Sequence, residues 1–163
     1  MTIEGTKTAA GLRIAADDPC SPEVGALLAR HLQLMRDTSP PESVHALDAS
    51  ALAVPGVWFF TAREAGAVLA MGAIKALSGN EGEIKSMHVV AEARGRGLAR
   101  LMLDQLIAAA REQGWQRLSL ETGVEDEFVP ARALYARAGF VECGPFEGYW
   151  ADPNSVFMTL KLR

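Results

Sequence analysis

Apolar positions along this chain change their period several times, and each change marks an element. Leu12, Ile14 and Ala16 alternate with other residues, which predicts a first strand within Gly11–Asp18 that turns at Asp17-Asp18-Pro19. Ser21 as N-cap, Pro22 at the first helical position and Glu23 in the first turn then open a helix. Val24, Leu27, Leu28, His31, Leu34 and Met35 recur along it at helical spacing, with His31 expected on its surface. Thr38-Ser39-Pro40-Pro41 stops that helix, and Ser39 with Glu42 has capping-box spacing for a short second helix over Glu42–Leu47.

From Val57 the period becomes that of strands. Val57–Arg63 and Ala67–Leu77 are separated by Glu64-Ala65-Gly66, the pattern of an antiparallel hairpin. A third strand, Glu83–Val90, follows the turn Ser78-Gly79-Asn80-Glu81-Gly82. Strict alternation would put Ile84, Ser86, His88 and Val90 on one face and Glu83, Lys85, Met87 and Val89 on the other. Ala99, Met102, Leu103, Leu106, Ile107 and Ala110 then form one helical stripe, within Gly97–Gln113, that ends at Gln113-Gly114. Arg117–Thr122 is predicted as a strand and Pro130–Ala138 as a helix ended by Gly139. Phe140–Cys143 and Ser155–Leu162 close the sheet. This order predicts a single α+β domain over residues 1–163, with no internal repeat or linker. Its sheet is antiparallel at first and locally parallel around the crossover helix.

A chain of 163 residues buries roughly 70% of its unfolded surface, so neither a disulfide nor a structural metal is needed for stability. Apolar stretches break well short of the ~18 residues that span a bilayer, and no apolar signal core follows Met1–Lys7. No membrane association and a cytoplasmic location are therefore expected. Cys20 and Cys143 are far apart and form no C-x-x-C pair, which fits a reducing compartment and argues against zinc; both are expected as buried packing residues. The formal charge of −4 argues against a nucleic-acid partner. One segment reverses that charge locally, because Arg94, Arg96 and Arg100 are interleaved with Gly95 and Gly97.

That segment joins a strand to a helix, which makes it an anion site. Glycines let the backbone approach closely, unpaired N–H groups at a helix start converge, and the macrodipole adds about half a positive charge. A pyrophosphate suits it. A P-loop would need Gly-Lys-Ser/Thr, which is missing, and the dinucleotide pattern G-x-G-x-x-G fails because Gly97-Leu98-Ala99 is followed by Arg100. Arg94, Gly97 and Ala99 do satisfy Gln/Arg-x-x-Gly-x-Gly/Ala, and the segment resembles the acyl-CoA signature of the GNAT superfamily of N-acetyltransferases. Ala131-Arg132-Ala133-Leu134-Tyr135 followed by Gly139-Phe140 resembles that superfamily's second signature, a helix with Ala-x-x-Leu-Tyr before a Gly-Phe step into a strand. Together the two motifs span about Glu83–Cys143, and the order of flanking elements extends the likeness over the chain. Ser39–Leu47, Gly82–Met87, Leu118–Gly123 and Asp152–Phe157 further resemble segments of a bacterial subfamily of acetyltransferases.

The resemblance implies a GNAT fold, with a mixed, mostly antiparallel sheet of six to seven strands flanked by about four helices. It implies acetyl-CoA as cosubstrate, no metal, and the primary amine of a small molecule as acceptor, attacked directly in a ternary complex. Residue by residue, backbone N–H groups around Met87, His88 and Val89 would hold the thioester oxygen. Those of Arg94, Gly95, Arg96, Gly97, Leu98, Ala99 and Arg100 would hold the pyrophosphate, with the arginine side chains adding charge. Tyr135 matches the tyrosine that gives a proton to the CoA sulfur, although an apolar helix stripe alone would also explain it. Glu83, eleven residues before Arg94, has the offset of a general-base glutamate in the histone-acetylating branch, while Lys85 on the same face weakens it in that role, and a salt bridge or an exposed strand end would also explain it. Glu121, on the strand across the expected cleft, is a comparable base.

His45 falls in the segment that forms one wall of the acceptor pocket in this fold, although a helix-surface position would also explain it, whereas His88 reads as a packed core or surface histidine rather than a base. Trp58, Trp115 and Trp150 are expected to pack, Trp150 and Tyr149 as pocket walls. The chain departs from the pattern where many relatives carry Asn, three residues before Ala131; Phe128 stands there, and Pro130 follows. Two rival activities stay open: a non-catalytic acyl-CoA-binding or sensing module, and a protein lysine acetyltransferase. A homodimer would use an exposed final strand Ser155–Leu162.

Overall fold

The computed structural model describes residues 6–7 and 11–163. Within them eight strands form one sheet: β1 (Thr6–Lys7), β2 (Leu12–Ala16), β3 (Val57–Glu64), β4 (Ala67–Leu77), β5 (Glu81–Val89), β6 (Arg117–Gly123), β7 (Val141–Cys143) and β8 (Ser155–Lys161). The helices are α1 (Pro22–Thr38), α2 (Ala49–Leu52), α3 (Leu98–Glu112) and α4 (Val129–Arg137). Spatial order in the sheet is β1-β2-β3-β4-β5-β6-β8-β7. Every pairing is antiparallel except β5 with β6, which are joined by the α3 crossover. The mixed α+β class expected from the sequence is the one observed, with the two-residue β1 as an additional edge.

Local chemistry explains most boundaries. The β3–β4 hairpin turns on Ala65 and Gly66, both at positive φ (50° and 84°), which is the primed-turn geometry whose twist suits two adjacent strands. Leu98, Met102, Leu103, Leu106 and Ile107 bury one stripe of α3, which packs on β3, β4 and β5. Each such side chain removed from water contributes about 1.5–3 kcal/mol. Among the described residues no helix is long and apolar enough to cross a membrane.

Three expectations are corrected. The second helix does not form over Glu42–Leu47; Pro41–Ser43 make a single 3-10 turn, the chain then runs without regular structure, and α2 starts at Ala49 under an Asp48 cap. Ser39 does not cap it, because its Oγ donates instead to Glu125 Oε1 at 3.3 Å. The cysteines are not buried packing residues, since Cys20 is exposed and Cys143 half-buried. The final strand is no exposed edge either: β8 lies between β6 and β7, which leaves the short β7 at the edge.

What positions the site is a fork in the sheet. β5 and β6 pair only over Glu81–Glu83 with Arg117–Ser119; beyond that they diverge, and β5 continues to Val89 against β4 alone. At the root of the fork the Trp115 ring lies over Gly82, so close that a Cβ built there would sit 2.1 Å from a ring carbon. Gly82→Ala should therefore destabilise the protein by about 3 kcal/mol through overpacking. A loss of roughly 6–12 °C in Tm by calorimetry is the expected reading. Combining it with Trp115→Leu should recover part of that loss, and an unchanged Tm in the single variant would refute the close contact.

Candidate active site

The fork opens into two connected cavities. The larger, of about 450 Å³, runs from the Arg94–Arg100 loop past Met87, His88 and Val89 to Leu134 and Tyr135. The smaller, of about 120 Å³, is lined by Glu83, Lys85, Ser86, Glu121 and His45, and it has room for several water-sized groups. They meet at His31, Met87 and Tyr135, which border both.

The loop before α3 is built for an anion. Gly95 and Gly97 hold left-handed φ of 83° and 76°, and Gly97 is the N-cap of α3 with no side-chain cap. The first α3 residue to donate backward is Leu101, to the Gly97 carbonyl at 3.1 Å, so the amides of Leu98, Ala99 and Arg100 have no helical acceptor. Unpaired amides at a helix start are the kind of chemistry that holds a phosphate group. Arg94 lines the cleft and forms no ion pair among the described residues. Arg96 is turned to Glu64 at 2.5 Å, and Arg100 pairs with Asp104 at 3.0 Å while bordering the cleft. Leu98 is buried, and Ala99 borders the cleft.

Further along, β5 breaks its own alternation. Ser86 takes a left-handed φ of 55°, and the β4–β5 register slips between Met71 and Ala73. The extra residue shifts the alternation by one from there on, and Met87, His88 and Val89 all border the larger cleft. With β6 turned away, the β6-facing backbone of this stretch is an open edge to which an extended ligand can add as a strand.

His31 is buried, contrary to the expected surface position, because its partner lies in β5. His31 Nδ1 and His88 Nδ1 are 3.0 Å apart, so one ring donates and the other accepts. Burial, then the charges of His88 and Lys85, push His31 down to about 4. Burial, then the charges of Arg94 and Arg30, do the same to His88, also to about 4. Both rings are neutral near pH 7, and the pair pins α1 against the cleft.

The smaller cavity brings Glu83 and Glu121 together with Tyr135, yet it treats the two carboxylates differently. Glu83, 3% exposed, accepts from Tyr149 Oη and from Lys85 Nζ at 3.4 Å. Lys85 also donates to Tyr149 Oη at 2.9 Å and to the His45 carbonyl at 3.0 Å. The Glu83–Lys85–Tyr149 group thus locks the 39–48 segment and the loop before β8 onto the sheet. His45 stacks edge-on against Tyr149 and Trp150, with ring centroids 4.9 and 5.3 Å apart. Burial, reinforced by the charge of Lys85, lowers its pKa.

Among the described residues Glu121 has one hydrogen bond, from Ser155 Oγ to its Oε1 at 3.0 Å, and burial raises it to about 7. Tyr135 is raised to about 12 by burial and then by the charge of Glu121, so the phenol stays protonated; its Oη lies 3.9 Å from Met87 Sδ. Trp115 is buried as a packing residue, whereas Trp150 remains 55% exposed beside His45. Sequence reasoning missed the His31–His88 pair and the bulge at Ser86. The pair joins residues 57 positions apart, and a serine carries no local signal for left-handed backbone.

Comparison with known proteins agrees with this geometry. The family profile described as Acetyltransferase (GNAT) family matches residues 26–140. YsnE of Bacillus subtilis (strain 168), an uncharacterized N-acetyltransferase, is 44% identical over 151 residues, 93% of this chain and 100% of that protein. YedL of Escherichia coli (strain K12), likewise an uncharacterized N-acetyltransferase, is 41% identical over 149 residues, 91% of this chain and 94% of that one. A crystal structure from Klebsiella pneumoniae subsp. pneumoniae MGH 78578, whose name assigns it provisionally to the acyl-CoA N-acyltransferases, superposes with a TM-score of 0.80. That protein is 32% identical, and the match covers 94% of this chain and 99% of its own. With a forked sheet, a glycine-bracketed helix start and near full-length relatives all in accord, this chain belongs to the GNAT family and is an N-acetyltransferase.

Proposed function

We propose that this enzyme transfers the acetyl group of acetyl-CoA to the primary amine of a small molecule, by direct attack within a ternary complex and without a metal. The observation that carries the reading is the meeting of the two cavities at Met87 and Tyr135, with an anion-binding helix start at one end and Glu121 beyond the other. Amides of the Arg94–Arg100 loop hold the pyrophosphate. The pantetheine lies along the open edge of β5, where an N–H among Met87, His88 and Val89 polarises the thioester carbonyl. His45 forms a wall of the acceptor pocket.

Glu121 takes a proton from the acceptor's ammonium, which frees the neutral amine to attack the thioester carbon; among the described residues it keeps one oxygen without a partner, and burial poises it near neutrality. Glu83 already accepts from two donors and serves to position Lys85 and Tyr149. Tyr135 faces the departing sulfur as its proton donor. The burial that raises the phenol would raise a thiol placed beside it as well, so the two stay matched.

A base must be deprotonated to act, so activity rises with pH as Glu121 ionises. The expected kcat/KM profile has an acid limb centred near 7. Glu121→Gln should remove that limb and lower the plateau by about a hundredfold. A limb that persists unchanged in the variant would show that another group is the base. Acetyl-CoA binding with no turnover of any amine would favour the sensing module instead.

A further inference from the structure

The smaller cavity has an uneven supply of hydrogen-bonding groups. Its one lysine, Lys85, spends its three donors on the His45 carbonyl (3.0 Å), Glu83 (3.4 Å) and Tyr149 (2.9 Å). Its histidines carry no charge near pH 7, since burial takes His31 down to about 4 and lowers His45 as well. No arginine lines it among the described residues; Arg94 and Arg100 border the larger cavity. Arg132 Nη1 is directed to the Gly123 and Glu125 carbonyls. Among the described residues the unspent charged group is an acceptor, since Glu121 keeps one oxygen without a partner; the buried Ser86 Oγ, also unpartnered there, is a hydroxyl that can accept or donate.

An amine entering here meets groups that can take its N–H hydrogens. A carboxylate entering here meets Glu83 and Glu121, loses its water, and finds no free cation. We propose that the acceptor is an amine without a carboxylate beside its reacting nitrogen, and that the cavity rejects α-amino acids by charge. This rests on the transferase reading above and narrows its substrate class.

Matched pairs test it: ethanolamine against serine, phenethylamine against phenylalanine, putrescine against ornithine, histamine against histidine, each with the neutral amino acid amide as a third member. Binding of each to the CoA-saturated protein is measured by calorimetry near pH 7, and CoA release is followed with acetyl-CoA in parallel. At least one amine should bind on the order of a hundredfold more tightly than its amino acid, with the amide recovering most of the loss. An amino acid bound as tightly as its amine would overturn the inference. So would an amide rejected as strongly as the acid, which would mean exclusion by size, or a failure of every amine to bind at millimolar concentration. Amines that bind with the expected preference but release no CoA would defeat the transferase reading while leaving the charge preference in place.

Discussion

Replacing Gly97 by glutamate should abolish acetyl-CoA binding in a calorimetric titration, weakening it by roughly a thousandfold or more. The new carboxylate would stand at the N-cap of α3, beside amides whose only unmet demand is for an anion, and would repel the pyrophosphate they fit. The fold should survive. A Cβ at Gly97 meets nothing within 4 Å, so the variant suffers only the left-handed backbone penalty of about 1–2 kcal/mol. Gly97→Asn is the control, since asparagine tolerates that conformation and adds no charge. It should keep binding within about tenfold. Wild-type affinity in the glutamate variant would remove the loop from the cofactor site.

The second large effect concerns the proton that leaves with CoA. Tyr135→Phe should lower kcat by about a thousandfold while the Kd for acetyl-CoA stays within twofold. The substitution deletes only the hydroxyl, and the ring keeps its place against Phe140, 5.8 Å between centroids. The sulfur then departs as an anion into a buried cleft with no donor to meet it. Activity within threefold of wild type would reduce Tyr135 to a packing residue of α4.

The fold was largely legible because most boundaries are set by local chemistry: Pro22 at the start of α1, Ala65-Gly66 in the hairpin, Gly97 before α3. Where local signals compete with distant partners, the sequence misled. Ser39 and Glu42 have capping-box spacing, but Ser39 is drawn to Glu125, 86 positions away. His31 reads as a surface residue on an amphipathic helix until His88 gives it a buried partner. Alternation along β5 fails at Ser86, where a left-handed serine at a bulge shifts the phase of the residues after it. The candidate site divides the same way. Arg94, Gly97, Ala99 and Tyr135 were visible as motif positions, whereas the different situations of Glu83 and Glu121 follow from Lys85, Tyr149 and Ser155, which no spacing rule connects to them.

The fork between β5 and β6 also bears on how long the protein lasts. A sheet that parts in its own middle lacks a stretch of ladder that its neighbours have, and in the proposed complex a ligand lying along β5 would supply it. Any ligand that binds only the native chain adds RT ln(1 + [L]/Kd) to its stability, about 2.7 kcal/mol at a hundred times Kd. Against a typical total of about 5–15 kcal/mol, that is a large share. With acetyl-CoA as the ligand, Tm should therefore rise with donor concentration, and resistance to unfolding should follow donor supply.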